Sequence, residues 1–264
     1  LLFFLVAGVA GAIISWGFLT ESLAVLGIPD PGPITTAGLP LLRAGAWLLA
    51  ALSVGSFLFA SFLLSPRQGD IRHAYLTVDG LIASRTGAVA ALVFALIGII
   101  MVPLVLSDVS GQPITEAIQP ANWFVALNQV ADAQAWLISA MIALVVGGAA
   151  LIAPRTWMWQ PVWLVGAILI VAPQGLSGHS AAGGDHDYGT NSLLWHVLFM
   201  MLWVGGLMAL IAHGRRLGPS LQVAVRRYST IAAVAMVAMA ISGVINAAIR
   251  VRFEDLFTSD YGRV

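Results

Sequence analysis

Between Gln174 and Gly206 the sequence reads QGLSGHSAAGGDHDYGTNSLLWHVLFMMLWVGG. It gathers three imidazoles (His179, His186, His196), two acids (Asp185, Asp187) and two thioethers (Met200, Met201) around one short polar loop. Imidazole and thioether are borderline-to-soft ligands that suit copper first and zinc second, whereas calcium or magnesium would want a cage of oxygens. The aspartates could add a ligand or orient an imidazole from behind. Cysteine is absent, which excludes thiolate metal sites, Fe–S clusters, disulfides and cysteine nucleophiles from these residues. The spacing His-x6-His-x9-His matches no compact ligand motif, so the chemistry depends on where helices carry the rings.

On a helix of 3.6 residues per turn, His196, Met200 and Trp203 share one stripe. His179 closes one apolar segment and His196 stands near the start of the next, so antiparallel packing would bring both imidazoles to one depth. His186 sits in the middle of the connecting loop, where Gly183, Gly184 and Gly189 let the chain fold inward. A second stripe, Met239, Ser242, Asn246 and Arg250, lies on the last apolar segment; polar groups in lipid face the bundle interior or a wet cavity, so it is the expected opposing wall of an ion pathway. Gln174 is a further polar candidate, beside Pro173, which should loosen its helix.

Each of these residues also has a plainer role. His179 and His196 read equally as hydrogen-bonded interfacial histidines, and His186 as a solvated loop residue. Met200 and Met201 suit core packing, and Asn246 suits an interhelical hydrogen bond of about 1 kcal/mol. His213, beside Arg215 and Arg216, reads as an inner-interface residue, and His73 as part of a solvated loop.

The elements that position these groups follow from composition. Of 264 residues, 59% are hydrophobic and 9% charged, against roughly 25% charged in a soluble domain. Several apolar runs reach the ~20 residues that a helix needs to cross a bilayer, and none alternates like a membrane barrel strand. The expected fold is an all-α polytopic helical bundle of about seven spans, near residues 1–26, 39–64, 86–106, 133–153, 162–180, 192–212 and 230–249. Glu21 and Arg43 could pair near one face, or each could snorkel to water. Residues 65–85 read as a solvated loop, and the apolar patch at 123–127, inside a long polar connection, as a segment lying on the membrane surface.

Every basic residue is Arg and the formal net charge is zero; with no basic cluster, nucleic acid is not an expected partner. Arg67, Arg72, Arg85, Arg155, Arg215, Arg216, Arg226 and Arg227 fall in the connections after spans two, four and six, while those after spans one, three and five hold none. By the positive-inside rule the N-terminus faces the cytoplasm and the histidine loop faces outward, in a cytoplasmic (inner) membrane. The chain opens on Leu1 rather than Met and stops just after the polar segment TSDYGR, so a longer natural protein is expected at both ends.

The pair Gly178-His179, then His196 in LLWHVLFMMLWVGGLMAL with Trp203-Val204-Gly205-Gly206, then YSTIAAVAMVAMAISGVINAAIRV and Tyr261-Gly262-Arg263, resemble the CopD copper-resistance and copper-uptake membrane family. The resemblance covers roughly residues 130–264. It divides the chain into amino-terminal helices (1–130, about three spans) and a CopD-like membrane domain (131–264, about four). The earlier spans look similar to the amino-terminal part of longer members fused to a CtaG-type cytochrome oxidase assembly half. The resemblance implies copper handling at or across the membrane, sometimes with an outer copper chaperone, and it carries over His179 and His196. The resemblance assigns no role to the Asp185-His186-Asp187 cluster, whose reading rests on the chemistry of its residues alone.

Three functions therefore compete. One is capture of copper outside through His179, His196, His186 and Met200, for transport or for supply to cytochrome oxidase assembly. The second is a b-type cytochrome with His179 and His196 as axial ligands of haem b on adjacent helices. The third is a structural subunit of a membrane complex. No Ser-His-Asp, paired-carboxylate or phosphate-loop constellation appears, so the expectation is a protein that is not an enzyme.

Overall fold

The computed structural model describes residues 30–65, 74–177 and 186–250, together with Val9 and Ile13; within 186–191 and 246–250 the helical backbone alone is described. The regular secondary structure among the described residues is helical, apart from one isolated antiparallel bridge between Tyr75 and Thr156. Six helical stretches among them are long and apolar enough to cross a membrane: Pro33–Leu63, Val78–Ser110, Ala131–Ile152, Trp157–Ser177, Ser192–Arg216 and Gly218–Ile245. The protein is an all-α, polytopic membrane bundle. Of the first expected span, 1–26, Val9 and Ile13 alone are described, and Glu21 lies outside the described residues.

Helix α1 (Pro33–Leu58) opens on a proline, whose missing N–H is no loss in a first turn, behind Gly32 at φ 87°, a conformation open mainly to glycine. It runs on into a π-helical turn, Phe59–Leu63. The Ser61 hydroxyl donates to the Phe57 carbonyl at 2.6 Å, and the Ser61 carbonyl accepts from Trp157 Nε1 at 2.9 Å. Helix α2 (Val78–Ser110) begins well before the expected residue 86. The Thr77 hydroxyl accepts from Gly80 N at 3.1 Å and Asp79 lies in the first turn, so capping and the helix dipole favour a start here. The last eight residues of the expected 65–85 loop, from Val78 to Arg85, are thus helix. Gly111, at φ 66°, ends α2 in the left-handed conformation common at helix C-termini.

Two short helices, α3 (Ile114–Ala117) and α4 (Pro120–Gln129), make the next connection. The patch expected to lie flat on the membrane is divided: Trp123 and Leu127 pack against the core, while Phe124 is 73% exposed. Helix α5 (Ala131–Ile152) follows, then a 3-10 turn, Trp157–Trp159, and α6 (Gln160–Leu169). The chain breaks at Ile170–Val171 before α7 (Ala172–Ser177). Pro173 explains the break: it has no N–H for the carbonyl four residues back, and its ring crowds that carbonyl. Helices α8 (His186–His213) and α9 (Leu221–Arg250) complete the described chain.

Between lipid-facing helices hydrophobicity drives little, so association depends on close packing through small residues. On α2 and α5 a Cβ on Gly98 would stand 2.9 Å from that of Ala140, and one on Gly147 2.7 Å from the Ala88 carbonyl. Where α1 crosses α8 the contact is tighter: a Cβ on Gly55 would fall on the Gly205 carbonyl, and one on Gly205 on that of Ala51. One apolar cluster runs from Ala46 to Met201 through Phe57, Phe94 and Trp136, so helices on both sides of residue 130 share a core. The pair α8 and α9 is peripheral, with 22% and 17% of its spans buried, against 72% and 61% for α1 and α2.

Candidate metal site

The ends of the bundle differ in charge. At one end Arg43 of α1 pairs with Asp132 of α5 at 2.9 Å, and Asp108, near the end of α2, interacts electrostatically with both. Asp132 is therefore the acid that Arg43 meets among the described residues. At the other end Arg227 of α9 donates to the carbonyls of Phe62 and Leu63, both at 3.4 Å, and to Ser65 Oγ at 3.1 Å, closing the end of the π-helical turn. His213 sits at this second end. It is 5% exposed, with its ring 5.4 Å from that of Phe59 and Nε2 without a hydrogen bond. The histidine expected at the inner interface is buried within the protein at this end, where the Phe59–Leu63 turn packs over it.

His196 lies in the half of α8 nearest the acidic end, and its ring is half-buried against α9. Nδ1 stands 3.1 Å from the Met239 carbonyl oxygen and 3.1 Å from Ser242 Oγ. The Ser242 hydroxyl donates to the same carbonyl at 2.9 Å, and the Ser192 hydroxyl donates to the Ser242 carbonyl at 2.7 Å. Two successive turns of α8 are thus tied to α9 by side chains reaching backbone. A Cβ at Gly243 would lie 3.8 Å from His196 Cε1, so α9 presents a flat, small-residue face to the ring.

The stripe predicted on α9 therefore meets His196 at two of its positions, Ser242 through its hydroxyl and Met239 through its carbonyl. Asn246 and Arg250 continue that helix, with side chains outside the described residues. Met200, one turn beyond His196, is partly buried and packs against the main core cluster, and Met201 is 1% exposed within it. Gln174 on α7 has a buried Nε2 with no hydrogen-bond partner. The neighbouring Gly175 packs on Leu194, where a Cβ would be 3.0 Å from Leu194 Cδ1. This contact sets the end of α7 beside the start of α8.

His179 and Asp185 lie outside the described residues, and the side chains of His186 and Asp187 are likewise not described. His186 does not sit mid-loop: α8 begins at His186, ahead of the expected start at 192. An acid at Asp187 suits the first turn of a helix, whose N–H groups carry partial positive charge. Among the described residues no group of three or more His, Asp or Glu side chains could hold a metal ion. The role of Ser192 was not anticipated, although its place four residues before His196 puts it on the same stripe.

Residues 34–188, more than half of the chain, match the family model for the copper resistance protein D-like N-terminal domain, and residues 222–264 match that for copper resistance protein D. The chain belongs to the CopD family. The chain is also 27% identical over 195 residues to an uncharacterized protein of Mycobacterium leprae, a match covering 72% of this chain and 29% of that protein. No solved structure matches. Membership gives the bundle its context: a multi-pass membrane protein of a family implicated in copper resistance. The Trp203-Val204-Gly205-Gly206 segment that carried the resemblance is where α8 touches α1 backbone to backbone, with the Trp203 carbonyl accepting from Tyr228 Oη at 2.9 Å.

Proposed function

We propose that this protein captures copper at the outer face of the cytoplasmic membrane and carries it across, or hands it to a partner, with His196 as an entry ligand. The observation that carries this reading is the half-buried His196 imidazole, held by α9 at the acidic end of a copper-resistance-family bundle. A neutral imidazole suits copper in either oxidation state. His179, which follows shortly after α7, and His186, at the start of α8, are the proposed companions, with Met200 as a thioether one turn deeper. The wall opposite is the α9 stripe of Met239, Ser242, Asn246 and Arg250. No covalent step is proposed; the protein acts as a carrier rather than an enzyme.

Charge supports the orientation. Arg155, Arg215, Arg216, Arg226 and Arg227 lie towards one end, and Asp108, Glu116 and Asp132 towards the other, as the positive-inside rule expects of a cytoplasmic and an outer face. An outer copper chaperone, or components of cytochrome oxidase assembly, are the partners proposed to meet the acidic end. The test is metal analysis and an absorption spectrum on one purified sample, wild type beside His179→Ala/His196→Ala. Copper bound by the wild type and lost in the double variant is expected. Unchanged copper stoichiometry in the variant overturns the site, and a Soret band lost with the same histidines replaces copper by haem b.

A further inference from the structure

We infer that the Met239 carbonyl and Ser242 together hold His196 in the tautomer protonated at Nδ1, so that Nε2 is the nitrogen that meets the metal and Ser242 is a positioning residue of the site. A carbonyl oxygen can only accept. A ring nitrogen 3.1 Å from it is therefore the one that carries the proton, since a bare lone pair there would face another lone pair. Ser242 completes the arrangement. Its hydroxyl proton is directed to the Met239 carbonyl at 2.9 Å, leaving an Oγ lone pair for the same Nδ1–H at 3.1 Å. The alternative, in which the hydroxyl donates to a bare Nδ1, breaks the first bond and restores the lone-pair conflict with the carbonyl.

A metal-binding histidine commonly donates its other N–H to a carbonyl or similar acceptor, which sets both the tautomer and the aim of the ring. Here that acceptor belongs to α9, and Ser192 fixes its place on α8 by donating to the Ser242 carbonyl at 2.7 Å. The ring is thus anchored on a neighbouring helix before any ion arrives. The assignment of Nε2 to the metal rests on the copper reading above; the tautomer does not.

The test separates the two. Nitrogen-15 spectra of the metal-free protein, with all histidines labelled and His196 assigned by the signal missing from His196→Gln, report which ring nitrogen carries hydrogen. The expected result is Nδ1–H with a bare Nε2 in the wild type, a smaller share of that tautomer in Ser242→Ala, where the Met239 carbonyl is the acceptor that remains, and recovery in Ser242→Thr. Cuprous ion, titrated against a competing chelator, is expected to bind about 10- to 100-fold more weakly to Ser242→Ala, the usual loss when an imidazole loses its supporting partner, and to recover in Ser242→Thr. An Nε2–H tautomer in the wild type overturns the proposal without any substitution. So does a Ser242→Ala protein that keeps both the wild-type tautomer and the wild-type affinity. If the tautomer pattern is as expected but His196→Gln binds cuprous ion as the wild type does, the copper reading of His196 fails while the positioning by α9 stands.

Discussion

Replacing Gly205 by alanine adds one methyl group at the crossing of α1 and α8, and it should weaken the bundle far more than the same change one residue later. A Cβ on Gly205 would fall on the Ala51 carbonyl. That obstacle is backbone, so relief requires the two helices to separate, and the close packing that joins them is lost. At Gly206 the obstacle is a side chain: the new Cβ would stand 2.7 Å from Tyr228 Cε2, about 0.8 Å short of an ordinary carbon contact of ~3.5 Å. The ring can retreat that far if the 2.9 Å bond from Tyr228 Oη to the Trp203 carbonyl lengthens. Overpacking costs about 1–3 kcal/mol where neighbours yield and more where they cannot, and alanine's better helix propensity offsets about 1 kcal/mol of it in both variants. Gly206→Ala is thus expected to lose about 0–2 kcal/mol, and Gly205→Ala more than about 2 kcal/mol. The latter is a fall of roughly thirtyfold or more in the folded-to-unfolded ratio. Reversible denaturation in mixed micelles, followed by tryptophan fluorescence and circular dichroism, measures both. A Gly205→Ala protein as stable as the wild type, or more stable than Gly206→Ala, refutes the backbone-to-backbone crossing.

Other substitutions probe separate parts of the frame. Trp157→Phe removes the indole donor to the Ser61 carbonyl and should cost about 1 kcal/mol, read as a lower denaturation midpoint with the fold intact. Thr77→Ala deletes the cap of α2 and should cost about 1 kcal/mol, with faster hydrogen exchange confined to the first turn from Val78. A double-mutant cycle of Arg43→Gln with Asp132→Asn should give a coupling of no more than about 1 kcal/mol that shrinks as salt is added, because these side chains are 42% and 37% exposed. A large, salt-independent coupling would show that the pair is shielded from water.

Much of the membrane frame is visible in the sequence because the cost of placing backbone and charge in lipid is local. Each apolar run long enough to span declares itself, and the Arg bias between alternate connections declares the two ends. The i, i+4 relation of Ser192, His196 and Met200 is equally local, as is the α9 stripe through Met239 and Ser242. Helix ends were less legible. The capped start at Thr77 and the start of α8 at His186 both lie in polar stretches whose helicity hydropathy does not register.

What tertiary structure alone decided is which of these local features meet. From the sequence Arg43 could pair with Glu21; only the tertiary structure, in which α1 and α5 both pack on α2, brings Asp132 to it. The glycines of Trp203-Val204-Gly205-Gly206 mark a family in the sequence, but their purpose depends on a second helix bringing Gly55 and Ala51 to the same level. His213 reads as an inner-interface residue from its arginine neighbours, and only the tertiary structure shows that a π-helical turn from another part of the chain buries it under Phe59. His196 was a candidate ligand from its type and depth, while the orientation of its ring is set by a carbonyl and a hydroxyl on α9. Periodicity fixes which face a residue occupies, because that follows from its own helix; its partner depends on the depth and rotation of a neighbouring helix, which are set by packing across the whole bundle.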